Sequence, residues 1–406
     1  MHRVAVTGLG IVSSLGNTPE AAATALYEGR SGIGIDPERA KRGFLSPLTG
    51  QVKDFAPRFP LSRKQRKTMP EFAEWAAEAV FQAIAQAAVD PHSLRNAETG
   101  IIFGCDSSSI AAIEQVDQLN ASGSTTQLGS GQVFRSMTSC ISMNLSVLLG
   151  TKGACWTISG ACASGGHAVG QAADLIRLGR QERVICGGAQ EINWQSMCSF
   201  DGLGAFSTRV SDPEGASRPF DHARDGLVPG GGAAGIVLER HDLARQRGAK
   251  ILGEILGYGF SSDGEDISVP SRTGMGRAMR MAMLDARVQA KDISYVCAHA
   301  TSTPIGDGKE AANLLDIFQD HQVPVSSVKS MTGHELWMSG ASQVVYTALM
   351  AAYGFTAMNR NYEQGDEITS RLNVVRRTVD VPPRIALCNA AGFGGTNSSL
   401  VVKFSQ

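Results

Sequence analysis

Short apolar runs rich in β-branched residues alternate with helical patterns along the whole 406-residue chain. The strand-like segments are residues 4–7, 100–103, 154–158, 183–186, 234–238, 251–255, 294–297 and 399–404. The helix-like segments are residues 19–28, 71–88, 165–178, 276–286, 307–318 and 342–352. Because helices that alternate with strands cover the faces of buried sheets, the pattern predicts an α/β fold.

The chain shows no composition shift that would mark a flexible linker. The polar, turn-rich residues 209–225 have the composition of an ordered loop, and a second strand-then-helix series begins near Lys250. The length of the chain allows two or three domains. We therefore expect two similar α/β halves, residues 1–249 and residues 250–406.

Composition excludes several classes of protein. With 37 Lys and Arg against 38 Asp and Glu, the net charge is -1, which gives no global electrostatic case for nucleic acid or a membrane surface. No apolar run reaches the ~20 residues that span a bilayer, and the start MHRVAVTGLG lacks the features of a signal peptide. The eight cysteines are scattered singly, so structural zinc, disulfides and any other metal site are not expected. A reducing cytoplasm fits best.

The glycine-rich segment Gly8-Leu9-Gly10 follows a strand, as a dinucleotide fingerprint would. Position 13 is serine and no helix opens there, so we predict a tight turn after the first strand.

Cys162 lies in TISGACASGG, between a short strand-like run and a helical pattern. Unpaired N–H groups and the dipole at a helix start favour a thiolate, and small neighbours leave room for a thioester. Cys155, Cys186 and Cys297 lie in apolar strands and are expected to be buried small hydrophobes. Cys162 is therefore the candidate nucleophile.

Two histidines are candidate partners of the thiol. His299 closes a strand and enters AHATSTPIGD, and His334 lies in KSMTGHELWM after Lys329. Both enter loops beside small residues, as cleft-facing side chains do. The glycine loop around Phe393, residues 392–397, precedes the last strand, and its backbone N–H groups are candidates to bind an oxyanion.

Six motifs occur in one order over essentially the whole chain: VTGLGIVSSLG, TISGACASG, GGAQE, HATSTPIGD, KSMTGH and GFGGTN. Together they resemble the β-ketoacyl-ACP synthases of the thiolase superfamily, above all condensing enzymes I and II. The resemblance implies a five-layered αβαβα fold built from two similar halves. It also implies a homodimer, with a heterodimer containing a second ketosynthase-like chain as the alternative.

The resemblance implies a role for each motif residue. Cys162 is the expected acyl-accepting nucleophile, and His299 and His334 are the expected pair that binds the malonyl thioester carbonyl. Lys329 corresponds to the family's active-site lysine, and Glu310 to its acidic partner.

The resemblance further implies that Phe393 is a gating residue whose N–H completes an oxyanion hole with that of Cys162. Thr301 and Thr303 match residues that hold the phosphopantetheine arm of an acyl carrier protein (ACP). No redox cofactor is required.

The chain departs from the family pattern at three places near the expected cleft. Ala300 replaces a glycine, GHELWMSGA with Trp337 replaces GHSLGAAGA, and Ala390-Ala391 replaces Ser-Phe. Variants of the GHELWM type are similar to condensing enzymes of aryl-polyene and flexirubin-type pathways. We therefore expect condensation on ACP-bound chains, with polyenoyl chains preferred over saturated ones.

A basic cluster is the candidate docking site for an acidic carrier protein. It consists of Arg63, Lys64, Arg66 and Lys67, in a chain that is otherwise close to neutral. A charge run is usually a solvated face, and the family resemblance favours carrier docking here.

Two alternatives stay open at this point. A biosynthetic thiolase carries a second cysteine in the C-terminal glycine loop, and this loop contains Phe393 instead. A chain-length-factor-like subunit generally loses the nucleophile, whereas this chain retains Cys162.

Overall fold

The computed structural model describes residues 1–405. The strands are β1 (Val4–Val12), β2 (Ile33–Ile35), β3 (Leu48–Gly50), β4 (Thr99–Gly104), β5 (Cys155–Ile158), β6 (Arg183–Gln190), β7 (Gly232–Arg240), β8 (Gly253–Ser262), β9 (Tyr295–Cys297), β10 (Pro324–Ser326), β11 (Asn373–Val374), β12 (Ile385–Gly392) and β13 (Thr396–Phe404). The helices are α1 (Pro19–Glu28), α2 (Pro37–Lys41), α3 (Arg63–Arg66), α4 (Glu71–Gln86), α5 (Ser109–Ser122), α6 (Gln132–Arg135), α7 (Cys140–Leu149), α8 (Ser164–Arg177), α9 (Trp194–Gly202), α10 (His241–Gln246), α11 (Gly274–Ala286), α12 (Pro304–Phe318), α13 (Lys329–Thr332) and α14 (Ser339–Tyr353). Within these residues, none of the helices combines the length and apolarity needed to cross a bilayer.

Eleven strands form one sheet in the order β11-β10-β9-β12-β13-β8-β1-β7-β6-β4-β5. In the section β1-β7-β6-β4-β5, two antiparallel pairs are followed by two parallel pairs. The section β8-β13-β12-β9-β10 repeats this arrangement in the second part of the chain. A short antiparallel contact between β1 and β8 joins the two sections.

Helices separate and cover the two sections. Helices α8 and α14 pack against each other and against strands of both sections. Helices α4 and α7 cover the outer face of the first section, and α11 and α12 cover the second. The order of layers is therefore αβαβα, as predicted. The chain thus folds around a central helical layer that lies between two sheet faces.

The segment Gly8-Leu9-Gly10 is not a turn, so the sequence-based prediction is wrong at this point. Strand β1 continues through it and pairs with β7. A Cβ atom at Gly8 would lie 1.9 Å from the carbonyl oxygen of Ala83, and one at Gly10 would lie 1.9 Å from that of Ala79. The glycines therefore allow α4 to pack directly on the backbone of β1.

The prediction for Cys155 is also wrong in part. Cys155 lies in a strand, but that strand is β5, at one end of the sheet. Its side chain is exposed, whereas Cys186 and Cys297, in interior strands, are buried as expected. A strand at the end of a sheet has a neighbour on one side only, and this leaves the side chains of β5 open to solvent.

The ends of the parallel strands bring the chemistry-bearing residues together. Cys162 follows β5, and His299 follows β9. Lys329 and His334 lie in the segment after β10, which occupies the same place in the second section as β5 does in the first. In α/β folds such strand ends form the crevice where ligands bind.

Candidate active site

Cys162 lies in a tight turn that precedes helix α8. The turn, Ala161–Ala163, is held by Ser164, whose hydroxyl accepts from the N–H of Gly160 (2.9 Å) and donates to the carbonyl of Ala161 (2.6 Å). Ala161 adopts a φ of 44°, a left-handed conformation that L-residues rarely take. Backbone strain of this kind persists only where the surrounding structure enforces it. The elbow predicted from TISGACASGG is thus present.

The Cys162 thiol is buried, with 6% of the residue exposed. Burial raises its pKa to about 12, and the ammonium group of Lys329 opposes the rise. The helix start and the lysine favour the thiolate, but they do not outweigh the lost hydration. Burial of the thiol therefore opposes the thiolate that the helix-start argument favours.

The rings of His299 and His334 meet edge to face, with centroids 5.3 Å apart and an interplanar angle of 86°. The Nδ1 atom of His334 lies 3.1 Å from the hydroxyl of Ser339. A hydroxyl that donates to Nδ1 leaves the ring proton on Nε2. Burial holds the pKa of both imidazoles well below the ordinary value, and the charge of Lys329 acts in the same direction. Both rings are therefore neutral near pH 7 and can donate one N–H each.

Lys329 and Glu310, the lysine and acidic partner that the resemblance implies, are not hydrogen-bonded to each other. The carboxylate of Glu310 accepts from the backbone N–H groups of His299 (2.9 Å) and Ala300 (2.7 Å) and from the amide of Asn389 (3.2 Å). Among residues 1–405, the Nζ atom of Lys329 has no hydrogen-bond partner. Glu310 thus fixes the backbone that carries His299, and it acts on Lys329 only through its charge.

Burial also shifts the pKa of both groups of this pair. Burial raises the pKa of Glu310 to about 7, against the effect of its three hydrogen bonds. Burial lowers the pKa of Lys329, and nearby acidic groups, among them Glu310 and Glu335, oppose that change.

The glycine loop, residues 392–397, packs against the Cys162 turn. A Cβ atom at Gly392 would lie 2.9 Å from the backbone nitrogen of Cys162, so the two backbones are in close approach. The ring of Phe393 stacks on that of Phe200, with centroids 6.1 Å apart and an angle of 21°. Phe200 lies in α9, a helix that was not predicted from the sequence, and it is a site residue that no sequence motif indicated.

A cavity of about 470 Å³ brings most of the predicted residues together. Its wall includes Cys162, His299, His334, Glu310, Phe393, Thr301, Thr303 and Ala391. The hydroxyl oxygens of the two threonines are 3.2 Å apart. Exposed Ile267 and Ile305 also line the cavity, so it is open to solvent at an apolar mouth.

Two of the three departures lie outside this cavity wall. Ala300 is buried, with its N–H bonded to Glu310 and its carbonyl accepting from Ser327 (2.7 Å). Trp337 lies behind Phe200, with ring centroids 6.0 Å apart. Only Ala391 lines the cavity itself. Ala300 and Trp337 lie next in sequence to residues that line the cavity, namely His299, Thr301 and Leu336.

The basic cluster forms a short exposed helix, and none of its four residues lines the cavity. Arg63, Lys64 and Arg66 lie in α3, and Lys67 follows it directly. All four are exposed. Ser62 caps the helix in a capping box with Gln65, which fixes the position of the helix start.

Comparison with known proteins identifies the family to which the chain belongs. Residues 1–244 match the model of the β-ketoacyl synthase N-terminal domain, and residues 252–363 match that of the C-terminal domain. The chain belongs to the β-ketoacyl synthase family. It is 38% identical to 3-oxoacyl-[acyl-carrier-protein] synthase 1 of Escherichia coli strain K12 over 406 residues, covering 99% of each chain.

Solved structures agree with this assignment. A β-ketoacyl synthase from Burkholderia phymatum STM815 superposes with a TM-score of 0.95 at 34% identity, covering 100% of both chains. The ishigamide ketosynthase/chain length factor superposes with a TM-score of 0.91 at 30% identity, also covering 100% of both. The sequence-based predictions of the family and of the thiolase-like fold are confirmed.

Proposed function

We propose that the protein is a β-ketoacyl-ACP synthase that condenses malonyl-ACP with an acyl chain carried on Cys162, with loss of CO₂. The observation that carries the proposal is the shared cavity wall of Cys162, His299 and His334, with both imidazoles neutral. The E. coli relative is named for the same reaction class on carrier-bound substrates.

In the first half-reaction the Cys162 sulfur attacks the thioester carbonyl of acyl-ACP. The thiol loses its proton as the sulfur attacks, and the departing pantetheine sulfur takes up a proton, so that free ACP leaves as a thiol. The carbonyl oxygen gains charge during the attack. The backbone N–H groups of Cys162 and Phe393 are the proposed donors to it, and one such donor contributes about 10²- to 10³-fold in rate.

In the second half-reaction malonyl-ACP binds in the vacated cavity. Its carboxylate leaves as CO₂, and the electron pair remains as an enolate on the thioester. The Nε2–H groups of His299 and His334 donate to the enolate oxygen. The enolate carbon attacks the acyl carbonyl, a carbon–carbon bond forms, and Cys162 leaves as a thiolate that takes up a proton. The chain is two carbons longer.

Four further residues support these steps in the proposal. Burial keeps both imidazoles neutral and the positive charge of Lys329 adds to this effect, while Glu310 positions the backbone of His299. Thr301 and Thr303 present neighbouring hydroxyls to the phosphopantetheine arm. The substrates arrive on that arm, and the reaction requires no redox cofactor.

The carrier protein is proposed to dock on the exposed basic residues Arg63, Lys64, Arg66 and Lys67. ACP is acidic, and complementary charge raises the rate of encounter. The eight cysteines are all free, which supports a cytoplasmic location. The boundary between residues 1–249 and 250–406 is the proposed division into halves, and each half supplies one section of the sheet.

The proposed assembly is a homodimer formed through the β5 edge of the sheet. A heterodimer with a second ketosynthase-like chain is the second candidate, supported by the structural likeness to the ishigamide ketosynthase/chain length factor. A thiolase reaction is not supported. The glycine loop contains no cysteine, and Cys388 is buried on β12.

The proposed preference for polyenoyl chains is supported by an aromatic wall beside the nucleophile. Phe200 and Phe393 line the cavity with their ring centroids 6.1 Å apart, and Phe206, outside the cavity wall, stacks on Phe200 at 6.3 Å. Flat faces of this kind suit a flat, conjugated chain. Elongation of polyenoyl-ACP and saturated acyl-ACP of equal length should favour the polyenoyl chain, and faster turnover of the saturated chain at every length contradicts the preference. In that case the proposed role of the protein is in the synthesis of saturated fatty acids.

The decisive experiment is intact-mass measurement after incubation with acyl-ACP. The parent protein should gain the mass of one acyl group, and Cys162→Ala should gain none. Cys186→Ala is the matched control, since Cys186 is also a buried free cysteine and lies in the interior strand β6. An acyl adduct on the Cys162→Ala protein contradicts the assignment.

A further inference from the structure

The cavity reaches the Cys162 thiol from one side. Apart from Cys162, its wall is built from residues 200–205, residues 225–227 and the second half of the chain. This is the side on which the two histidines, the threonines and the apolar mouth lie. Phe200 is part of this wall, so residues that contact Phe200 without lining the cavity lie on its other side.

On that other side the turn that carries Trp337 packs against the turn that carries Cys162. Trp337 is 6% exposed and does not line the cavity, and its ring lies against that of Phe200, with centroids 6.0 Å apart and an interplanar angle of 48°. Phe200 therefore lies between the cavity and the indole ring of Trp337.

A chain of hydrogen bonds holds the indole in place. The Nε1–H of Trp337 donates to the hydroxyl of Ser107 (3.1 Å), and that hydroxyl donates to the carboxylate of Glu191 (3.3 Å). Glu191 is buried and accepts from the backbone N–H of Ser109 (2.6 Å), at the start of α5. A buried indole N–H that loses its acceptor is costly, so the bond to Ser107 resists displacement of the ring.

We propose that Trp337, anchored by Ser107, closes the inner end of the acyl-binding chamber and sets the longest chain that Cys162 accepts. This rests on the proposed function, because it assumes that Cys162 is acylated. This limit on chain length applies to saturated and unsaturated acyl chains alike. A chain that passes Phe200 must displace the indole from Ser107, and removal of the indole opens the space between Cys162 and Ser107.

The test measures the rate of Cys162 acylation by butanoyl-, octanoyl- and hexadecanoyl-ACP, followed by intact mass. In Trp337→Ala the acylation rate with hexadecanoyl-ACP, divided by the rate with butanoyl-ACP, should rise on the order of tenfold or more. A pocket that gains or loses room for a few methylene groups changes the preference between substrates by that amount. Ser107→Ala keeps the indole volume and removes its anchor, so the ratio should rise in the same direction by a smaller factor. This variant also gives an answer if Trp337→Ala does not fold.

Trp75→Ala is the matched control. Trp75 is a buried tryptophan of α4, and among the described residues its N–H has no hydrogen-bond partner. Its substitution should leave the length ratio unchanged. An unchanged ratio in both Trp337→Ala and Ser107→Ala overturns the proposal. A rise in Trp337→Ala alone overturns the anchoring by Ser107. Failure of the parent to accept even butanoyl-ACP instead contradicts the proposed function.

Discussion

The buried ammonium of Lys329 acts on three groups of the site at once. Its charge lowers the pKa of Cys162, His299 and His334. The effect on each group has a different consequence. At Cys162 the charge offsets part of the rise in pKa that burial causes. At His299 and His334 it adds to the fall in pKa that burial causes. One positive charge thus favours both the nucleophile and the two N–H donors.

Replacement of Lys329 by methionine should therefore slow alkylation of Cys162 by iodoacetamide. Loss of a nearby opposite charge raises a thiol pKa, and a shift of about one unit lowers the thiolate fraction at fixed pH about tenfold. The pH at which the rate rises should move upward. The measurement is the alkylation rate against pH by intact mass. Lys309→Met, at the cavity wall, is the control, and equal rates in the two variants contradict the role of Lys329.

The sequence could predict which residues meet at the site but not how strongly each is buried. Cys162, His299 and His334 lie in motifs whose neighbours determine the local turn. The high pKa of Cys162 depends on burial by distant parts of the chain. The partners of Glu310 depend on how α12 packs behind His299, and the position of Phe200 depends on a helix with few sequence signals.

At the scale of elements, the contact of α4 with β1 requires two glycines in the strand. Gly10→Ala should destabilise the protein by about 1–3 kcal/mol, the usual cost of an extra methyl group in a filled contact. The reason is the carbonyl oxygen of Ala79, 1.9 Å from the new Cβ. Urea unfolding measures the change. Gly34→Ala is the control, since no atom lies within 4 Å of its Cβ, and equal stabilities of the two variants contradict the interpretation.

Elements with local end signals were predictable, and elements defined by packing were not. Helix α1 was predicted with its observed bounds because Thr18 caps it, Pro19 begins it and Gly29 ends it in a left-handed conformation. The bounds of strand β12, with the sequence IALCNAAG, were not predicted. Its small residues carry little strand preference, and β9 and β13 on either side hold it in the sheet.

Helix α3 provides a test of carrier docking. The double variant Arg63→Glu, Lys64→Glu should raise the KM for acyl-ACP by roughly tenfold and leave the rate with a small acyl-thioester unchanged, because reversal of exposed charges weakens encounter with an acidic partner. The effect should shrink as salt is added. Lys41→Glu, Arg42→Glu at the end of α2 is the control. Equal losses with ACP and with the small thioester contradict docking on α3.

At the scale of the whole molecule, the two sections of the sheet end differently. The second section ends at the short strand β11, whereas the first ends at β5. Two large apolar side chains on or next to β5 are exposed: Trp156 of β5 at 42%, and Val147 of α7, which packs against β5, at 84%. An open strand edge beside apolar surface invites pairing with another chain. The site depends on this edge, because Cys162 follows β5 directly.

Pairing through β5 predicts that one charge at this edge converts a dimer into a monomer. In Trp156→Lys the ammonium group would be desolvated in the paired state and hydrated in the free state, so dissociation is favoured. Light scattering at micromolar concentration should give twice the chain mass for the parent and about the chain mass for the variant. Val381→Lys, a residue 65% exposed elsewhere on the surface, is the control and should keep the parent mass. A variant that retains the parent mass places the interface elsewhere. A monomeric variant that also loses Cys162 acylation shows that the partner chain supports the turn that follows β5.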